Sequence, residues 1–163
     1  MHPAKPATPA PGPERPPDTA FRELIRTFGL FQQVMHPYFA RFGISGSQWG
    51  VLRNLHRAEE AGQGGLRLTD LGARLLIRPP SVTGVVDRLE RVGLVRREGV
   101  PTDLRAKQVV LTPKGRQLVE QVLAGHADQI ARVRAPLKPD EERQLAGLLR
   151  RLGRHLEGLL EPG

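Results

Sequence analysis

Between residues 78 and 112 the chain reads as a proline pair, a valine stripe, a glycine stop and a cationic hairpin, an order that few folds accommodate. Arg78-Pro79-Pro80-Ser81 forms a turn that opens a helix. Proline suits a first turn because its missing N–H would have no helical partner there. Val82, Val85, Val86, Leu89 and Val92 then recur at i, i+3, i+4 and i+7, which predicts one apolar helix face, and Gly93 ends the helix. Leu94 to Glu98 and Gln108 to Thr112 read as two strands, with Gly99, Pro101 and Asp103 at the hairpin tip.

The flanking chain is helical by the same reasoning. Phe21, Leu24, Ile25, Phe28, Phe31, Met35 and Tyr38 fall at helical spacing, a wide face suited to core or to a dimer contact, and Pro37 bends or ends that first helix. Gly43 to Gly46 is a turn. Ser45 followed by Gln48 matches a capping box opening a second helix to about Ala58, with Val51, Leu52 and Leu55 inward. Glu59 to Gly65 is a loop. Leu66 and Leu68 suggest a short strand, and Thr69 is the expected cap of a third helix through Leu76 that buries Leu71 and Leu75. Thr112-Pro113 caps a fifth helix carrying Leu118, Val122 and Ile130. After a break at Pro136 to Pro139, a last helix presents Leu145, Leu148, Leu149, Leu152, Leu156, Leu159 and Leu160. That face is too apolar to stay wet on a small monomer. The expectation is a mainly α fold with a small β hairpin (α+β). Residues 1–18, with seven of the fifteen prolines, form a disordered arm, and residues 19–163 form one domain. Within that domain 44–112 is the hairpin-bearing lobe, and 19–42 with 113–163 are dimerisation helices.

Cysteine is absent, which removes disulfides, thiolate metal sites and cysteine nucleophiles. The five histidines are scattered without ligand-like spacing, so no metal or cofactor is expected. No Gly-x-Ser-x-Gly, His-Glu-x-x-His or phosphate-binding glycine loop occurs, so an enzyme is not expected. No apolar run approaches the ~20 residues of a membrane span. With no leader pattern, the expected location is cytoplasmic, in the company of the nucleoid. The net charge is +8, and between residues 67 and 116 eleven Lys and Arg stand against five carboxylates. That concentration favours a polyanionic partner.

Short strand, helix, turn, helix, hairpin is the winged helix-turn-helix plan. A helix fits the major groove of B-DNA, the helix before it braces the backbone, and a hairpin beside it reaches the minor groove. On the fourth helix the face opposite the valines shows Ser81, Thr83, Gly84, Asp87, Arg88 and Arg91. Small residues near its N-terminus permit close approach, and the free N–H groups there suit a phosphate. Arg78, Pro80, Ser81, Thr83, Gly84 and Arg88 are therefore candidate DNA contacts, joined by Arg97, Asp103, Arg105 and Lys107 of the hairpin. Asp103 either pairs with Arg105 or bonds turn amides. A non-specific architectural nucleic-acid binder is the competing reading, distinguished by a salt slope without sequence preference.

Five segments carry a resemblance: Ile44-Ser-Gly-Ser-Gln-Trp-Gly-Val-Leu52, Arg78 to Glu90, Val92 to Arg97, Asp103-Leu-Arg-Ala-Lys107 and Leu111-Thr-Pro-Lys-Gly115. Together they make the chain resemble the MarR family of bacterial regulators from about residue 20 to 160. The resemblance implies a triangular homodimer on double-stranded DNA, with the helix near Pro80 reading bases and Arg105 as the minor-groove arginine. Leu104 departs from the pattern, since many members carry a second arginine there. Members often bind small aromatic acids between the dimer helices and the DNA lobe. Trp49 and Arg53 lie one turn apart at positions matching that cleft, with Arg26 of the first helix a further candidate to face it, and a ring and cations suit an aromatic or anionic effector.

Overall fold

The computed structural model describes residues 18–75 and 79–160. Six helices and one hairpin follow in the order α1 (Thr19–Ala40), α2 (Gly46–Glu60), α3 (Leu68–Leu75), α4 (Pro79–Arg91), β1 (Val95–Val100), β2 (Asp103–Leu111), α5 (Pro113–Arg134) and α6 (Pro139–Leu160). The expected arm falls almost wholly outside the described residues, as does Arg78.

The centre of the lobe is built from the predicted stripes. Val82, Val85, Val86 and Leu89 of α4 are buried against Val51, Leu52 and Leu55 of α2, Leu71 of α3, and Val109 and Leu111 of β2. Val92 does not complete the stripe. It is half exposed, because α4 stops at Arg91 and Gly93, at φ 76°, turns the chain away. That reversal is closed by N–H bonds from Gly93 to the Glu90 carbonyl (2.9 Å) and from Leu94 to the Leu89 carbonyl (2.9 Å). Thr112 Oγ1 and Lys114 Nζ then donate to the carbonyls of Gly93 (2.6 Å) and Val92 (2.8 Å), pinning the start of α5 to the end of α4. Gly115 lies so close that a Cβ there would drive into the Leu94 carbonyl oxygen.

Helix starts follow capping chemistry, with one correction. Ser45 and Gln48 form the reciprocal box that opens α2: the Gln48 N–H donates to Ser45 Oγ (3.1 Å), and the Ser45 N–H donates to Gln48 Oε1 (2.8 Å). Thr112 caps α5 by accepting from the Gly115 N–H at 3.0 Å. Thr69 does not cap α3. The helix begins at Leu68, one residue earlier, where Asp70 accepts from the Arg67 N–H at 3.3 Å. The strand expected at Leu66 and Leu68 reduces to a single bridge, Leu66 to Val109.

The two ends of the chain behave differently. α1 runs straight through Pro37 rather than ending there. Only its last turns enter the core, through Met35, Tyr38 and Phe39; Phe21, Leu24, Ile25, Phe28, Phe31 and Val34 are exposed. α6 buries nothing, and Leu148, Leu149, Leu156, Leu159 and Leu160 face outward. Between α1 and α6 runs an apolar groove of about 570 Å³, lined by Phe21, Leu24, Phe28, Leu145, Leu148 and Leu149 among others.

Candidate nucleic-acid interface

With its valines inward, α4 turns Ser81, Asp87, Arg88 and Arg91 to solvent and leaves Thr83 and Gly84 half-buried. Gly84 has room for a side chain, since a Cβ would meet nothing nearer than the Arg88 guanidinium at 3.9 Å, so glycine keeps this face shallow. Pro80 stands in the first turn of α4, where helix N–H groups are free for an anion.

The wing is the β1–β2 ribbon. It pairs antiparallel from Val95↔Leu111 to Gly99↔Lys107, and the register slips between Gly99 and Val100. Arg105 and Lys107 are exposed on β2, and neither side chain has an ion-pair partner among the described residues. The same is true of Arg88 and Arg91 on α4. Asp103 takes the second of its two expected roles: it accepts from the Arg105 N–H at 3.1 Å and shapes the turn. Arg96 pairs with Glu98 at 3.0 Å.

Arg97 is placed differently from the other hairpin cations. Its backbone N–H donates to Glu90 Oε1 at 2.9 Å, one guanidinium nitrogen bonds the other oxygen of Glu90, and a second bonds Asp87. Burial disfavours its charge, but the hydrogen bonds to Asp87 and Glu90 outweigh that and raise its pKa above the ordinary arginine value. Sequence reading placed Arg97 and Asp87 on the open surface and missed this pairing across the turn. It also missed the bidentate clasp of Arg116 on Glu59, with both contacts at 2.9 Å, which ties the base of α5 to α2.

A cleft of about 430 Å³ opens on the other side of the lobe, between α1, α2 and α5. Phe28, Phe31 and Met35 form one wall, with Trp49, Ser47 and His126 opposite. Trp49 lines this cleft, its ring 5.8 Å from Phe39 and 5.4 Å from His126. Arg53 is not among the lining residues. It turns along α2 to His56 (2.8 Å) and Glu60 (3.3 Å). Arg26, exposed on α1, is not among them either. His126 was not anticipated. Burial lowers its pKa first, and the nearby positive charges of Arg53 and Arg57 lower it further.

The sequence profile of the MarR family matches residues 42–106, the span from the α1–α2 turn into the wing. The uncharacterized HTH-type transcriptional regulator YkoM of Bacillus subtilis (strain 168) is 37% identical over 118 residues, covering 72% of this chain and 73% of its own. The chain belongs to the MarR family. MarR-family proteins of this kind are winged-helix transcription regulators, not enzymes. AbsC, the MarR family regulator of Streptomyces coelicolor, superposes with a TM-score of 0.78 at 25% identity, covering 86% of this chain and 94% of its own. BpsR of Bordetella bronchiseptica, whose DNA binding is regulated by 6-hydroxynicotinic acid, superposes at 0.72 with 26% identity, covering 83% and 98%. Among the described residues, no helix is long and apolar enough to cross a membrane.

Proposed function

We propose that this MarR-family protein is a homodimeric, sequence-specific repressor acting in the cytoplasm on a pseudo-palindromic promoter site. The observation that carries the reading is one surface on which the open face of α4 and the wing converge, with Arg88, Arg91, Arg105 and Lys107 left without carboxylate partners among the described residues. Ser81, Thr83 and Gly84, with Arg78 and Pro80 before them, offer the close approach to base edges and phosphates, and Arg105 enters the minor groove. The exposed faces of α1 and α6 supply the partner surface. Two copies so joined set their α4 helices into successive major grooves, about 34 Å apart. Selection of bound sites from random DNA, followed by titration at several salt concentrations, tests this. Recovery of a two-fold motif supports it; salt-sensitive binding without any motif identifies a non-specific architectural binder instead.

The cleft at Trp49 takes a small aromatic acid that releases DNA by favouring another spacing of the two reading helices. Aromatic walls beside an imidazole, with Arg53 and Arg57 lending positive potential, support that chemistry, as does the ligand control of BpsR. Trp49 is the sole tryptophan, so its fluorescence reports occupancy directly. Titration with 6-hydroxynicotinate or benzoate is expected to quench it and to weaken DNA binding together; quenching without any change in DNA affinity overturns the regulatory role.

A further inference from the structure

The outward side of α4 holds an electrostatic contradiction. Asp87 sits one position from Arg88 on the surface assigned to DNA, with Glu90 less than a turn away. Two carboxylates there oppose a phosphate backbone. Both are engaged by one residue of the wing. Arg97 delivers its backbone N–H and one guanidinium nitrogen to Glu90, and a second guanidinium nitrogen to Asp87. A planar guanidinium fork holding two carboxylates fixes direction as well as charge, which a lysine ammonium does not.

The location of this clamp matters. The base of the hairpin is held by Val95, Val109 and Leu111 in the core and by the Leu66 bridge. From Arg96 to Val100 no residue of β1 is buried, and the register slips at Gly99/Val100. Arg97 faces Val109 across the ribbon, where the held base gives way to the open wing, and ties that point directly to the reading helix.

We propose that Arg97 is a positioning residue for DNA binding: it touches no DNA, but sets the wing relative to α4 and neutralises Asp87 and Glu90 beneath the duplex. Arg105 then meets the minor groove at a fixed offset from the α4 contacts. This rests on the reading of α4 and the wing as the DNA surface, and the test separates the two.

The probe is a duplex selected from random DNA by the wild-type protein, used at full length and trimmed of the flanks the wing would reach. Binding is measured across a salt series for the wild type, R97Q, R97K and R105A. R97Q is expected to lose roughly tenfold on the full duplex. Its salt slope stays at the wild-type value, whereas R105A lowers the slope by about one. On the trimmed duplex the gap between R97Q and the wild type narrows to what the unpaired Asp87 and Glu90 still cost beneath the duplex. R97K keeps the charge without the fork and falls between them, and adding D87N to R97Q recovers part of the loss. A slope lowered in R97Q by about one makes Arg97 a phosphate contact and overturns the proposal. An equal loss on both duplexes makes it a strut of general stability and also overturns it, as does full wild-type affinity in R97K. If R97Q binds like the wild type while R105A is weakened, the proposal alone fails. If R105A also binds like the wild type, the DNA surface itself is misassigned, and the proposal falls with it.

Discussion

The lobe from Ile44 to Val122 and the helices at the two ends are equally amphipathic in sequence, yet they reach different states. In the lobe the apolar face is closed: Val51, Leu52, Leu55, Leu71, Val82, Val86, Leu89 and Leu111 are fully or almost fully buried, and, among the described residues, no polar residue is. In α6 and the first four turns of α1, the apolar face is complete but open. Periodicity states that a face will be covered and is silent on what covers it. The lobe supplies its own cover from α2, α3, α4 and the hairpin. The end helices have a groove between them, and no described residue closes over it. Each large side chain left there is worth ~1.5–3 kcal/mol once buried, which is the driving force for association with another surface.

The sharpest way to break this contrast is to insert one methyl group in each region. In the lobe, Gly115→Ala forces a Cβ into the Leu94 carbonyl, and backbone cannot step aside as a flexible side chain can. The expected loss is at or above the upper end of the ~1–3 kcal/mol usual for overpacking, read from urea denaturation. Next in size is the charge substitution Leu148→Asp on α6. It is expected to move the protein from dimer to monomer in sedimentation while the lobe keeps its near-ultraviolet circular dichroism; a dimer unaffected by it places the interface elsewhere.

A smaller effect is expected at the border between the regions, where α5 presents His126 to Trp49. With the folded pKa held below the unfolded value of 6.5, the unfolded chain binds more protons in the interval between them. Stability is therefore full above about pH 6.5 and is lost as pH falls toward the folded value. His126→Phe is expected to flatten that dependence, checked by thermal melts between pH 5 and 8. Smallest, and opposite in sign to Gly115→Ala, is Gly147→Ala in α6. A Cβ there meets nothing, so the change is expected to stabilise the helix by about 0.5–1 kcal/mol. A loss at Gly147 would mean that this face of α6 is already covered in solution.

What the sequence disclosed divides along the same line. The α4 valines, the Ser45–Gln48 box and the Gly93 stop are written within four residues of themselves, so period and capping chemistry suffice to find them. The pairings that tie the elements to one another are not local. Arg97 reaches back seven and ten residues around a reversal, and Arg116 reaches Glu59 across 57. Nothing in the type or spacing of those side chains selects a partner until the backbone has brought them together. Pro37 was read as a bend or an end of α1; the helix continues past it to Ala40, with Met35, Tyr38 and Phe39 around it buried. Arg53 was tied to Trp49 by shared position, and only the packed helices show its side chain bonded along α2 to His56 and Glu60.

α5 begins under the wing, clamped by Thr112, Lys114 and Arg116, and ends beside α1 at Val133. Its 22 residues make it the one continuous element running from the hairpin to the groove at the chain ends. Mechanically it is a lever arm about 33 Å long, at ~1.5 Å per residue, rooted in the reading head. His126 lies beyond its midpoint, so the aromatic acid proposed for the cleft would press on the beam rather than on its root. A tilt of about 5° about the clamped end moves the His126 position by about 1.7 Å and the far end by about 3 Å, a displacement that would re-space the two heads of the proposed dimer.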